Sequence, residues 1–402
     1  MFTLKEVKKS ILTALWFMFL TFPIMVIKVN TITDTVEWRW KNLALVGLGA
    51  FILSFLWRWA LDRREKGGNV NKDQEGLKNA ILAKSKQLKL PGLLAIALLA
   101  AILPFVASMY TTSVLTTALM YVILGLGLNV VVGLGGLLHL GYAAFYAVGA
   151  YTYALLHYHF GISFWAALPL GALFSTILGL LIGFPVLRLR GDYLAIVTLA
   201  FGEITRLVLE NWNDFSFGPS GIANIARPGI AGVKMKLPQA TIFIYFIAIA
   251  MVLLTIFIVN RLENSRLGRA WEAMREDEIA SQSMGIDITK TKLLAFAIGA
   301  LWAGFVGVLF AAKTTFINPA SFTVWESIVV LCVVVIGGMG SIPGVIVGAL
   351  VFTLLPELLR SVSEYRMLVF GIALVVMMIF RPGGMIQKRR KSYKFKEEGD
   401  GN

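Results

Sequence analysis

Residues 261–292 read RLENSRLGRAWEAMREDEIASQSMGIDITKTK, six basic and six acidic side chains in thirty-two positions of an otherwise apolar chain. Such a stretch cannot lie in hydrocarbon, where each charge is costly. It must be a loop in water between two membrane spans. Leu267, Ala270, Trp271 and Met274 recur at i, i+3, i+4 and i+7, one face of a helix. Gly285 then breaks the pattern. The spacing predicts a short amphipathic helical elbow on the membrane surface, of the kind a membrane protein offers to a soluble partner.

The rest of the chain sets the class. It has 402 residues, 57% of them hydrophobic and 15% charged, with a mean hydropathy of +0.76. Soluble domains carry about 25% charged residues, so this is a polytopic integral membrane protein. Its expected fold is an all-α helical bundle of about 10–12 transmembrane helices, some short or broken. Candidate spans lie near 10–29, 43–60, 91–109, 112–138, 139–160, 163–185, 191–210, 240–260, 291–312, 324–340, 342–356 and 366–381. The segment 191–210 is the weakest, because it holds Glu203, Arg206 and Glu210. The first apolar run is as long as a full span, about 20 residues, so no cleaved leader is expected.

Basic residues fix the orientation. With a cytoplasmic N-terminus, the inside segments hold 26 Lys or Arg and the outside segments 8 of the 37 in the chain. Elbow, N-terminus and C-terminus then face the cytoplasm. The net charge of +14 follows from this asymmetry and requires no nucleic acid. The tail 388–396 (KRRKSYKFK) would lie against anionic membrane lipid. The organisation reads as an N-terminal two-span extension (1–60), a charged cytoplasmic linker (61–90), a main transmembrane body (91–381) and a basic cytoplasmic tail (382–402). Tryptophans 16, 38, 40, 57 and 59 give the extension the look of an anchor.

No sequence for chemistry is present. There is no G-x-x-x-x-G-K-[ST], no H-E-x-x-H and no G-x-S-x-G. Cys332 lies alone in an apolar run, and three histidines with no Cys/His cluster argue against a metal site. No cofactor and no catalytic residue are therefore expected. Few ionisable residues fall within the spans, mainly Glu203, Glu210 and Glu326, so ion-driven transport has little to work with. The energy source is expected in a separate subunit docked on the elbow.

Glycine is the second signal. Residues 125–149 (GLGLNVVVGLGGLLHLGYAAFYAVG) contain a valine triplet, Val130–Val132, and residues 336–348 (IGGMGSIPGVIVG) follow one, Val333–Val335, a short internal likeness. Small residues permit close helix packing in lipid, and they also permit broken helices beside a water-filled path. Both readings stand for Gly135, Gly136, Gly337 and Gly338, and likewise for the polar Asn129, His139 and Tyr142. Lys313, Asn318, Pro319 and Phe322 are expected in an outer turn, and 211–239 as the longest outer loop, irregular because of its Gly, Pro and Asn.

Several stretches together are similar to the permease subunits of branched-chain amino acid ABC importers. They are 129–151 (NVVVGLGGLLHLGYAAFYAVGAY), 190–204 (RGDYLAIVTLAFGEI), 218–222 (GPSGI), 265–286, 292–309 and 333–349. The resemblance implies a bacterial inner-membrane importer of leucine, isoleucine or valine. Its partners would be a second permease subunit, two cytoplasmic ATP-binding subunits and a periplasmic branched-chain amino acid binding protein. The elbow would be the loop that fits the ATPase, with Arg269, Trp271, Glu272, Arg275, Glu276, Glu278 and Gly285 setting the dock. The wider importer motif, Glu-Ala-Ala, three residues, then Gly, is met in part by Glu278-Ile279-Ala280 and Gly285. The alternative reading is a stand-alone secondary carrier for small hydrophobic solutes.

Overall fold

The computed structural model describes residues 27–30, 35–38, 100, 102–186, 189, 191–229, 236–358, 371, 375, 379, 381 and 383–386. The chain divides into two compact units, Met1–Ile96 and Ala97–Asn402. In the first, β1 (Ile27–Asn30) pairs antiparallel with β2 (Thr35–Trp38). Residues 27–29 are thus strand rather than the end of the expected span 10–29; the rest of that span, the span 43–60 and the linker 61–90 lie outside the described residues.

The second unit is a helical membrane body. Its elements are α1 (Met109–Leu128), α2 (Tyr142–Phe160), α3 (Phe164–Val186), α4 (Asp192–Asn211), the short α5 (Asn213–Ser216), α6 (Leu237–Glu263), α7 (Arg266–Glu276), α8 (Glu278–Ser283), α9 (Ile288–Thr314), α10 (Val324–Gly337) and α11 (Ile342–Leu358). A second strand pair, β3 (Ile222–Ala223) with β4 (Phe316–Ile317), ties the loop 211–239 to the end of α9. Among the described residues, five segments are long and apolar enough to cross a membrane: Met109–Leu134, Phe164–Pro185, Leu237–Glu263, Ile288–Thr314 and Pro319–Gly337. Ile342–Glu357 is a shorter apolar helix. The segment 191–210, weak as a span, is nonetheless a helix. Arg206 pairs with Glu203 at 2.9 Å and with Glu210 at 2.6 Å along one face of α4, so the charges compensate one another.

Close packing explains much of the glycine. α9 packs most extensively against α3 and α2, and these two pack on each other. A Cβ on Gly149 of α2 would stand 2.3 Å from the carbonyl oxygen of Gly304 on α9. A Cβ on Gly304 would meet the Gly171 carbonyl of α3 at 2.7 Å. The three backbones therefore touch, as small residues allow in lipid. The α10–α11 pair is joined in the same way, with a Cβ on Gly337 2.4 Å from the Gly344 carbonyl.

The boundary inside 112–160 differs from the expected one. α1 does not run to 138. It widens into a π-helical turn, Asn129–Leu134, in which the N–H of Gly135 reaches the Val130 carbonyl at 3.0 Å. Residues 135–141 are then non-helical, so His139 precedes α2 instead of starting it. The cause is local: Gly136 has φ +69°, a left-handed value that glycine adopts without strain. The expected span 324–340 also ends early, at Gly337, because Gly338 (φ +121°) and Gly340 (φ +80°) turn the chain before α11. Lys313 falls in the last turn of α9 rather than in a loop.

Candidate functional site

The elbow is built from three caps. Ser265 accepts the Gly268 N–H at 3.3 Å and starts α7. Asp277 ends α7 and starts α8, accepting from the N–H groups of Ile279 (2.8 Å) and Ala280 (3.0 Å). Asp287 accepts the Lys290 N–H at 3.0 Å and starts α9. Each side chain satisfies helix donors that would otherwise lack partners. The Lys290 N–H holds the exposed Asp287 carboxyl below its ordinary range. The expected single helix broken at Gly285 is therefore two helices. The first break is at Asp277, which captures two N–H groups ahead of it. Gly285 (φ +85°) makes the second turn, with open space around its Cα.

The residues expected to set the dock separate into two groups. Trp271 is fully buried and donates from Nε1 to the Thr291 carbonyl at 2.9 Å, fastening α7 to α9. Glu278 pairs with Lys292 at 2.6 Å, the Lys292 side chain being 4% exposed and that of Glu278 24%. Arg275 donates to the Gly133 carbonyl in the π-helical turn, and its side chain lies where a Cβ on Gly136 would stand, 2.7 Å away. Trp271 and Glu278 face the protein, and Arg275, exposed along much of its length, reaches back to it. Arg269, Glu272, Glu276 and Gly285 lie on the exposed side. Beside them two large apolar side chains stand out, Ile279 (64% exposed) and Met284 (83%). Sequence reasoning passed over both; their signal was two apolar residues at i and i+5 across a short capped helix between charges.

Glu278 is the brace for a buried ammonium. Glu278→Gln leaves Lys292 without its counter-charge and should weaken the elbow by roughly 2 kcal/mol, less than a fully buried pair because Glu278 is partly solvated. Limited trypsin cleavage at Arg269 and Arg275 should accelerate. Adding Lys292→Met should restore resistance, and equal cleavage of all three proteins would exclude the brace.

The residues singled out in the glycine-rich breaks come together, and all but Gly136 lie inside the chain. Asn129, 1% exposed, accepts the Gly340 N–H at 2.8 Å and so joins the first break to the second across 211 positions. Gly135, Gly337 and Gly338 are buried, and Gly136 is exposed on the elbow side. Tyr142 is buried and donates to the Gly299 carbonyl of α9 at 2.9 Å. His139 is buried among Tyr142, Phe145 and Phe296, with Nδ1 accepting the Gly141 N–H at 3.4 Å and Nε2 without a partner. Other backbone groups of the break are met by Thr198, which accepts the Leu140 N–H (3.1 Å), and by Ser327, which accepts the Ala143 N–H (2.8 Å). Irregular backbone survives at membrane depth on such terms.

A bundle of apolar helices with paired breaks and a charged elbow fastened to it is the architecture of a membrane transport subunit. The chain belongs to the family described as branched-chain amino acid transport system / permease component, whose model matches residues 110–378. It is similar to the high-affinity branched-chain amino acid transport system permease protein LivM of Salmonella typhimurium, 48% identical over 76% of each chain. The LivM of Escherichia coli is 44% identical over 92% of this chain and 89% of that protein. LivH of Salmonella typhimurium, also a permease of that system, is 25% identical over 66% of this chain and 91% of its own. No solved structure matches.

Proposed function

We propose that this chain is the permease subunit of an ATP-driven importer of leucine, isoleucine and valine in the bacterial inner membrane. It pairs with a second permease subunit to form the path. Two ATP-binding subunits dock on the elbow from the cytoplasm, where both chain termini lie, and a periplasmic binding protein delivers substrate to the opposite end. The names of the relatives support the substrate class. The observation that carries the coupling role is the elbow's division of labour: an outer face with Ile279, Met284 and Arg269 exposed, and an inner face where Trp271, Arg275 and Glu278 are tied to the bundle. Exposed apolar residues within a charged rim are the makings of a protein interface. The break residues Asn129, Gly135, Gly136, His139, Tyr142, Gly337 and Gly338 support the wall of the path from within this subunit.

The test is Ile279→Asp combined with Met284→Asp. Co-purification of the ATP-binding subunits should be lost, and ATP-driven leucine uptake should fall at least tenfold. Unchanged values of both would remove the elbow from coupling. Uptake by this chain alone under an ion gradient would replace the reading with a secondary carrier.

A further inference from the structure

At the end of α9 remote from the elbow, two opposite charges sit half-buried on three packed helices. Lys313 is on α9, 21 positions beyond Lys292, roughly 30 Å at the helical rise. Its ammonium donates to the Thr117 hydroxyl of α1. One turn further along α1, Tyr121 donates to Glu326 Oε2 of α10 at 2.7 Å. Among the described residues no ion pair joins Lys313 to Glu326, and each charge is met by one hydroxyl. Beside them is an aromatic wall: Phe310, three positions before Lys313, and Phe322, four before Glu326. Both pack on Tyr146, with ring centroids 5.3 and 5.1 Å away.

A charge facing lipid at membrane depth is costly. Half-buried Lys313 and Glu326 therefore face water or another polar group. A single cation or anion satisfies one of them and repels the other. A molecule with an anion and a cation on one carbon, and an apolar branch beyond it, satisfies both charges and the wall.

We propose that Lys313, Thr117, Tyr121 and Glu326 form a recognition site on the translocation path for a zwitterionic α-amino acid with an apolar side chain. Lys313 takes the carboxylate, Glu326 the ammonium, and Tyr146, Phe310 and Phe322 the branch. This rests on the import reading above and adds a binding step within the membrane body.

The test uses the assembled permease–ATPase complex carrying Thr117→Cys and Cys332→Ala, labelled with an impermeant maleimide. Leucine should slow labelling at least fivefold. 4-Methylpentanoate and 3-methylbutylamine, each lacking one of the two charges, should not. Glu326→Gln should raise the leucine concentration needed for protection at least tenfold. Equal labelling with and without leucine, or equal protection by either analogue, overturns the site, as charges reserved for a partner subunit would give. Should Thr117→Cys fail to assemble, Glu326→Gln decides by uptake: a KM for leucine raised tenfold supports the site, and an unchanged KM overturns it. Wild-type complex with its binding protein that imports no leucine sinks the import reading itself, whereas import without protection sinks the binding site alone.

Discussion

Trp271→Ala is expected to abolish ATP-driven uptake while leaving the membrane bundle folded. Trp271 is fully buried and holds α7 to the first turn of α9. Truncating a buried tryptophan costs about 3–5 kcal/mol, and α7, 11 residues long, is too short to persist alone in water. The elbow should fray, and with it the surface that carries Ile279 and Met284. Hydrogen exchange over 266–283 should accelerate strongly, with little change in α2, α3 and α9. Trp271→Phe keeps most of the volume and loses the hydrogen bond, worth about 1 kcal/mol, so it should retain most uptake. Full uptake by Trp271→Ala would show that force does not pass through this side chain.

The other large effect is Gly149→Leu. A Cβ there would stand 2.3 Å from the Gly304 carbonyl oxygen and 2.6 Å from the Gly304 Cα. Both are backbone atoms in the middle of α9 and cannot swing aside. α2 must move away from α9, at about 3 kcal/mol or more, the upper end for overpacking. The variant should give little folded protein by size exclusion and a sharply lower melting temperature. Gly161→Asn is the control. It needs φ +63° but has open space around it, and asparagine tolerates that conformation, so its stability should change little. A normal Gly149→Leu melt would contradict the backbone contact.

Much of the fold was legible because charge and hydropathy change sharply at the elbow and at most span ends. Helices expected at 163–185, 240–260 and 291–312 occur with their ends shifted by a few residues. The break at Asp277 was also written in the sequence, as an aspartate ahead of a short helix, but the apolar periodicity of α7 does not mark it. The end of α1 was not legible. A π-helical turn keeps the same apolar residues as an α-helix and differs in hydrogen-bond register, which composition does not record. The links that give the candidate site its shape are long-range: Arg275 to Gly133, Asn129 to Gly340, Glu278 to Lys292. Periodicity within one helix carries no information about them. Thus Arg275 and Glu278 read as charges awaiting a partner, whereas both brace the chain itself.

The glycine contacts bear on how such a subunit changes shape. α2, α3 and α9 meet carbonyl to glycine, and α10 meets α11 in the same manner. Neither group can shear internally without backbone collisions. Each behaves as a welded block, and α1 is the strap between them. Its Gly127 abuts Trp302 of the first block, and its Gly125 abuts Val333 and Val345 of the second. Those seams are made with side chains, which can slip. If the path opens by alternation as proposed, the motion these contacts permit is a swing of two stiff pieces about α1, and the widened turn at its end, held by Arg275, is where a pull on the elbow would reach the pivot.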